Sequence, residues 1–462
     1  MRLKQNAGDY ALSFFNICLN DMEAFSEDAC RNSATFVHEF LHYLQDLALP
    51  YNIRLNMSQW CRFRDLRDVA PKSSFDSSVE GAVELPFDKW TEDTRLLIFQ
   101  QDSTLGSPKM VQDVTSLPEI KVTSKHIDGV YDFRLQRSRE FDVYQYTATI
   151  NEEPYQLGAG QLLEYIAWKI EAKHCSGGVD VPPLPYQLVD MLFEKYNLGF
   201  FPDCIRINFA ELCLFNDHPM RFLIHSILEP YQNMTLPPSV DFQKLYEGIY
   251  RNNLSTTFET TDGTYETLAG KRNRRWNDLM NLLEGQFQQF PTIHAWITRV
   301  NHYACEHWQN RFLFSDLYIM DTPQFHKEIW NLVEELGVPL VFNNRMEPFS
   351  IGAVTDYSEF LQFYILQEYL DYLTENSSDV LGLRSSAGCS TVGCPLFSQE
   401  IKCGVLDESG SILLCDDDAD KRSVLCYYPT DFTNVFEGAT DCPYKRFLEQ
   451  HSLSKLKVTG KL

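Results

Sequence analysis

Apolar residues concentrate in two segments near the start of the chain. Residues 10–19 read Tyr-Ala-Leu-Ser-Phe-Phe-Asn-Ile-Cys-Leu, a pattern typical of a strand or of a buried apolar run. A helix is predicted from Ser26, a good helix cap, to about Leu49, and Pro50 should end it. Its apolar residues recur at spacings of three and four and should face a core. They are Val37, Phe40, Leu41, Leu44, Leu47 and Ala48.

The region that follows is mixed in pattern up to about residue 140. Short strands are predicted at residues 96–99, 120–123 and 141–150. Residues 151–154, Asn-Glu-Glu-Pro, are typical of a hairpin turn. A Gly-Ala-Gly segment then opens a second strong helix, which should run from Gln161 to about Lys173.

The second half of the chain predicts a different organisation. From about residue 186 to 375 the pattern is mainly helical, with interruptions at Pro. From about residue 385 the composition shifts, because six of the 13 cysteines lie beyond it. We therefore predict an α+β protein in three parts. They are residues 1–235, a mainly helical accessory region at 236–384, and a small Cys-rich region at 385–462.

The charge of the chain limits the classes of partner that it is expected to bind. A formal net charge of -24 argues against nucleic acid, because that affinity rests largely on Lys and Arg neutralising phosphates. The one basic run, residues 271–275, is predicted to be a solvated helix start or turn, with a phosphate or partner patch as the alternative. No membrane span or secretory signal is expected, and the odd, scattered cysteines favour a reducing compartment. We therefore predict a cytoplasmic protein.

The segment His38-Glu39-Phe40-Leu41-His42 carries the candidate chemistry. Because an α-helix has about 3.6 residues per turn, the two histidines share one face and can bind the same zinc ion. Glu39 lies at the rim of that face, where it can accept a proton from water activated by the metal. The spacing predicts His38 and His42 as zinc ligands and Glu39 as the general base.

A catalytic zinc has three protein ligands and one open position. One sub-type of this motif adds a third His six residues after the second and a Gly three after it; Ala48 and Gln45 occupy those positions and exclude it. The chain resembles the gluzincin division of the zincin metallopeptidases, in which a Glu from a downstream helix completes the site. The resemblance covers about residues 10–230 and implies Glu164 as the third ligand, although the Asn-Glu-x-x-Ser-Asp form common in that division is missing.

Several other roles stay open. The alternative third ligands are Glu211, His174 and His218. Asp46 or Gln45 could accept the N–H of a ligand imidazole and fix its orientation, and Glu171 could do the same or face the metal itself. A second, structural zinc is an alternative to buried reduced thiols at Cys389, Cys394, Cys403 and Cys415.

The function predicted from these residues is a zinc-dependent peptidase. Residues 1–235 would form its zincin-like catalytic domain, and the substrate would be an intracellular protein or peptide. The C-terminal half is a candidate surface for a regulatory protein partner. The alternative is a non-catalytic binding or scaffold protein whose zinc site is structural.

Overall fold

The computed structural model describes most of the chain up to residue 364. The described residues are 2–4, 8–12, 15–22, 27–31, 33–69, 99–114, 116–132, 137–175, 181–232, 234–236, 239–260, 263–286, 290–344, 347–361, 363–364, 405–406 and 412–413. Contacts divide the chain into two units. The main unit comprises Met1–Ser58, Phe99–Ile127 and Phe141–Tyr357. The second unit comprises Gln59–Ile98, Asp128–Glu140 and Ser358–Leu462.

Helices and small sheets alternate along the described residues, which form an α+β protein as predicted. The strands are β1 (Arg2–Lys4), β2 (Gly8–Ala11), β3 (Asn16–Leu19), β4 (Ile120–Asp132), β5 (Arg137–Ile150), β6 (Glu153–Leu157), β7 (Thr257–Glu259), β8 (Tyr265–Thr267), β9 (Val338–Asn343), β10 (Pro348–Ile351), β11 (Val405–Leu406) and β12 (Ile412–Leu413). The helices up to residue 213 are α1 (Glu27–Arg31), α2 (Ala34–Ala48), α3 (Pro50–Val69), α4 (residues 99–105), α5 (Ala159–His174), α6 (Pro183–Tyr186), α7 (Leu188–Lys195) and α8 (Asp203–Cys213). Those that follow are α9 (Pro219–Phe222), a π-helical turn (Leu223–Leu228), α10 (Glu229–Tyr231), α11 (Phe242–Leu254), α12 (Leu268–Gln286), α13 (Pro291–His307), α14 (Leu313–Ile319) and α15 (Thr322–Leu336).

The largest sheet joins the two ends of the main unit. Its strand order is β1-β2-β3-β9-β10. All neighbours are antiparallel except β3 and β9, which are parallel with Asn16 opposite Leu340. Residues 10–19, predicted as a strand or a buried apolar run, contain the end of β2 and all of β3, and Tyr10, Leu12, Phe15 and Ile17 in them are buried. The main unit also crosses residue 235, where the sequence suggested a boundary.

Helix α2 is the central element of the main unit. The Ser33 side chain caps it by accepting a hydrogen bond from the Phe36 N–H at 3.0 Å. Every residue from Phe36 to Ala48 is buried, so the predicted apolar stripe packs inward and the remaining faces are covered as well. The helix ends one residue before the predicted Leu49, but Pro50 does not end helical structure. It begins α3, because a proline lacks only an N–H that the first helical turn leaves unpaired.

Helix α5 follows a hairpin, as predicted. Asn151 and Glu152 adopt positive φ angles of 49° and 67° between β5 and β6, which suits a two-residue turn. A Cβ at Gly158, the residue before α5, would lie 2.4 Å from the backbone carbon of Leu105, so only glycine fits that contact. The Gln161 side chain accepts a hydrogen bond from the Gly158 N–H at 2.6 Å and so fixes the start of the helix. Helix α5 packs against α2.

Two further predictions need correction. Phe99 lies in helix α4 and not in a strand, while residues 96–98 lie outside the described residues. The basic run is not solvated at its start, because Lys271 and Arg272 in α12 are only 4% and 3% exposed. The predicted strand at residues 120–123 is confirmed as the start of β4, and most of residues 186–336 is helical as expected.

The second unit is described at few positions. In it, Trp60 stacks on Phe363 with ring centroids 3.8 Å apart, and β11 pairs with β12. The four cysteines of the candidate second zinc site lie outside the described residues. Among the helices that are described, none is both long and apolar enough to cross a membrane.

Candidate metal centre

Helices α2 and α5 bring three candidate ligands together in the interior of the main unit. The Nε2 atoms of His38 and His42 lie 3.1 Å apart. Glu164 Oε2 lies 3.3 Å from Nε2 of His38 and 3.4 Å from Nε2 of His42. Ligands about 2.0–2.1 Å from a tetrahedral zinc are separated from each other by roughly 3.3 Å. The three atoms are therefore spaced as a shared metal ion requires, and the group can bind one.

The outer nitrogen of each imidazole is held by a second side chain. Nδ1 of His38 lies 2.8 Å from Glu171 Oε2. Helix α5 therefore supplies both carboxylates that contact His38, Glu164 and Glu171, from one face. Nδ1 of His42 lies 2.8 Å from Gln45 Oε1, and the Gln45 amide donates to the Leu163 carbonyl at 3.0 Å. The Glu171 carboxylate and the Gln45 amide oxygen both accept, so in the neutral rings each Nδ1 donates its proton and each Nε2 presents a lone pair to the centre.

The centre is enclosed and negatively charged. His38, His42 and Glu164 are 0%, 1% and 3% exposed. Burial by itself lowers the pKa of His38, but hydrogen bonds with Glu164 and Glu171 outweigh it and raise that pKa well above its ordinary value. Burial by itself raises the pKa of Glu164, but the two histidines lower it below its ordinary range. An environment that holds a proton on a buried imidazole also favours a cation in its place.

Glu39 lies beside this group and is fully buried. Its carboxylate packs against β2, where a Cβ on Gly8 would lie 2.9 Å from Glu39 Oε1 and 2.7 Å from a methyl of Thr35. The absence of a side chain at Gly8 therefore lets the strand approach α2 at this point. The charge of Glu39 also helps to raise the pKa of its neighbour His38.

Asp46 does not take the orienting role suggested for it. Its carboxylate accepts hydrogen bonds from Tyr10 and from Asn52, each at 2.9 Å, while Gln45 contacts the His42 imidazole. The Tyr10 ring stacks on His42 with centroids 6.3 Å apart. Among the described residues, Asp46 reaches the His42 ring through Tyr10, a residue that sequence reasoning placed in an apolar run without assigning it a role in the site.

Glu211 is not a ligand of the group, although it is equally buried. It lies at the N-terminus of α14, where it accepts from the backbone N–H groups of Phe314 at 3.1 Å and Ser315 at 2.8 Å. The Ser315 hydroxyl also donates to it at 2.8 Å. Burial raises the pKa of Glu211 to about 7, even though these donors pull it down. Glu211 therefore serves as a helix cap.

The two alternative histidines also lie elsewhere. His174, at the end of α5, contacts the Leu317 carbonyl at 3.2 Å and stacks on Phe325 at 4.1 Å. Burial lowers the pKa of His174 to about 4, so it is neutral near pH 7. His218 precedes α9 and packs against the edge of the Tyr144 ring. Of the alternatives that the sequence left open, only Glu164 faces the two histidines of α2.

Comparison with known proteins adds no identification. No family model, curated protein or solved structure matches this chain. The chemistry of the centre therefore has to be argued from its own residues.

Proposed function

We propose that this chain is a zinc-dependent peptidase that uses Glu39 as its general base. The proposal is carried by one observation, the convergence of Glu164 from α5 on the paired imidazoles of α2 at 3.3 and 3.4 Å. Two imidazoles and one carboxylate suit zinc better than calcium or magnesium, which take oxygen ligands. Three ligands from the described residues leave one coordination position for substrate or water, as in catalytic zinc sites.

The protein groups divide the chemical work between them. A zinc ion bound here would polarise a substrate carbonyl and lower the pKa of water to about 7. Glu39 would take the proton from the attacking water and deliver it to the leaving amine. Glu171 and Gln45 keep both imidazoles in the tautomer that presents Nε2 to the centre.

The proposed substrate is a peptide bond. The arrangement of ligands and base suits hydrolysis at a polarised carbonyl, and the resemblance of the motif to gluzincins makes the peptide bond the first such substrate to test. The protein substrate and a regulatory partner for the C-terminal half stay predictions.

The decisive experiment replaces Glu39 by Gln. Glu39→Gln should retain the metal but lower peptide hydrolysis by about 10²–10⁴-fold, because general-base catalysis typically contributes that much. New protein N-termini are compared between cells expressing wild type and the variant, and metal content is measured on both purified proteins. Glu211→Gln is the matched control, a buried Glu away from the centre. Equal cleavage by wild type and Glu39→Gln would remove the mechanism.

The enclosure of the ligands favours one second candidate, a non-catalytic binding protein with a structural metal. Exposures of 0–3% at the three ligands are typical of a site closed to substrate. Chelator treatment followed by an unfolding scan separates the two functions. A catalytic zinc should leave with modest loss of stability and complete loss of hydrolysis, whereas removal of a structural zinc should unfold the chain.

A further inference from the structure

A second group of charged side chains lies away from the metal centre, where α3, the loop after α8, and α12 meet. We define the Asp217 cluster as Arg54, Asp217, Lys271 and Arg275. Arg275 Nη2 lies 2.8 Å from Asp217 Oδ2, Lys271 Nζ lies 3.8 Å from Oδ1, and Arg54 Nε lies 3.9 Å from Oδ1. Three cations thus surround one carboxylate in a chain whose net charge is -24.

Lys271 is the residue that makes this cluster unusual. Its side chain is 5% exposed, and its ammonium lies 4.9 Å from the Phe258 ring centroid. At 3.8 Å from Asp217 it is too far for a hydrogen bond, and within the described part of the chain it donates none. An ammonium on a side chain that is so little exposed loses most of its hydration, so an acceptor is expected to approach it.

Other donors in the cluster are also incompletely used. The Nε atoms of Arg54 and Arg275 are buried and, among the described residues, have no hydrogen-bond partner. The same holds for Nδ1 of His218, the neighbour of Asp217. Burial and the surrounding cations lower the pKa of His218, which records the excess positive charge nearby.

The neighbouring charges do not remove this excess. The next acidic side chain, Glu266, accepts two hydrogen bonds from Arg274, from Nε to Oε2 at 2.9 Å and from Nη2 to Oε1 at 2.5 Å. Asp278 lies 4.0 Å from Arg274 Nη1, so Arg274 faces two carboxylates. Arg54, Lys271, Arg274 and Arg275 together still outnumber Asp217, Glu266 and Asp278 by one positive charge. Asp217 is 34% exposed, which leaves a path from solvent into the cluster.

We propose that the Asp217 cluster is a binding site for a phosphate group. A phosphate group meets the surplus positive charge, and its several oxygens can accept from the Lys271 ammonium and from the unused Arg54 and Arg275 Nε donors together. A carboxylate ligand is less suitable because its two oxygens offer fewer acceptors to these donors. The site shares no residue with the metal centre, and it rests on no part of the proposed function.

The test measures phosphate binding by the full-length protein as purified. Inorganic phosphate is titrated against wild type by calorimetry, with sodium chloride at the same ionic strength as reference. Glycerol 3-phosphate is the second probe: binding of both assigns the site to the phosphate group, and binding of the ester alone assigns it to a phosphate ester. Phosphate that binds no better than chloride, together with an ester that does not bind, overturns the proposal.

Two variants locate the binding in the cluster. Lys271→Met should weaken phosphate binding at least about tenfold, because it removes a charged donor. Lys169→Met is the matched control, since that half-buried ammonium is already neutralised by Asp190 at 2.9 Å and Asp203 at 3.0 Å. Lys169→Met should bind phosphate as wild type does. Equal loss in both variants, or no loss in Lys271→Met, contradicts the assignment.

A third variant, expected to strengthen phosphate binding, controls for a folding defect in Lys271→Met. Asp217→Asn removes the one carboxylate that competes with the ligand, so it should bind phosphate at least about threefold more tightly than wild type. If Asp217→Asn folds only in the presence of phosphate, that dependence also supports the site. Weaker binding by Asp217→Asn would mean that the cations serve Asp217 alone.

Discussion

Glu164 and Glu211 are two buried glutamates on helices that pack against each other, and they have opposite chemistry. Glu164 on α5 faces two imidazoles, which lower its pKa. Glu211 on α8 faces the amide N–H groups of Phe314 and Ser315, and burial raises its pKa to about 7. Both satisfy the rule that a buried carboxylate needs a partner. The partner decides whether the carboxylate is a ligand for a cation or a cap for a helix.

The comparison shows why burial alone does not identify a metal ligand. Glu211 has hydrogen-bond donors on both oxygens, so its lone pairs are used by fixed protein groups. Among the described residues, Glu164 contacts the ring nitrogens of His38 and His42, which can give up a proton and bind a metal instead. The distinction lies in whether the partner can exchange its proton for a cation.

The largest expected effect comes from removing the charge of each glutamate in turn. Glu164→Gln should lower metal affinity by more than about a hundredfold, because it removes a ligand and not merely an orienting group. Glu211→Gln should retain the metal. Metal content after dialysis against a competing chelator measures both, and comparable metal loss in the two variants would break the comparison.

The next effect is a pH dependence that belongs to Glu211. Its pKa is about 7 in the folded chain and near 4.5 ordinarily, so the folded state binds the proton more tightly. The stability it contributes is complete below about pH 4.5 and is lost as pH rises through 7, with a span of up to about 3 kcal/mol.

Urea unfolding of wild type and Glu211→Gln between pH 4.5 and 8 measures this contribution. The free energy of unfolding of wild type should fall across that range relative to the variant, whose amide does not titrate. Parallel curves for the two proteins would show that Glu211 stays ionised throughout.

A smaller effect is expected outside the ligand set, at Glu171. Its carboxylate orients His38 through Nδ1, so Glu171→Gln should weaken metal binding by about ten- to hundredfold with little change in stability. Glu229→Gln is the control, because Glu229 makes the same contact with an exposed imidazole, His225, at 2.9 Å. Competition titrations with a chelating dye measure the metal affinity of both variants. A metal affinity of Glu171→Gln equal to that of wild type would contradict the orienting role.

The smallest effect tests the cap. Ser315→Ala removes one donor to Glu211 and should cost about 1–2 kcal/mol in the free energy of unfolding. It should also move the Glu211 titration to higher pH, since that donor lowers its pKa. Ser103→Ala, another buried serine whose hydroxyl contacts the uncharged Gln145, should show no such shift. Denaturant unfolding of Ser315→Ala and Ser103→Ala at several pH values measures both the loss of stability and the shift of the Glu211 titration.

Features encoded within one segment could be predicted from the sequence. The helix with His38 and His42, the hairpin at residues 151–152 and helix α5 all have their caps, turns and apolar spacing within a few residues. Their signals do not depend on the rest of the chain. Pro50 shows the limit even here, because a proline suits the end of one helix and the first turn of the next equally well.

Features that depend on distant partners could not be predicted from the local pattern. The resemblance to gluzincins pointed to Glu164, but the pattern left Glu211 open, because both lie in apolar helices and their deciding partners are 126 and 104 residues away. The burial of Lys271 contradicts the expectation that charge runs are solvated, because Asp217 and Phe258 cover it from other elements. The parallel pairing of β3 with β9 likewise joins segments more than 300 residues apart.

That pairing has a consequence for synthesis of the protein. Strand β3 has β2 on one side, but the neighbour on its other side, β9, ends at Asn343. A nascent chain emerging from the ribosome therefore exposes one edge of β3, which lies beside helix α2, until β9 has been translated more than 300 residues later. Until then the emerging N-terminal segment is expected to depend on chaperones.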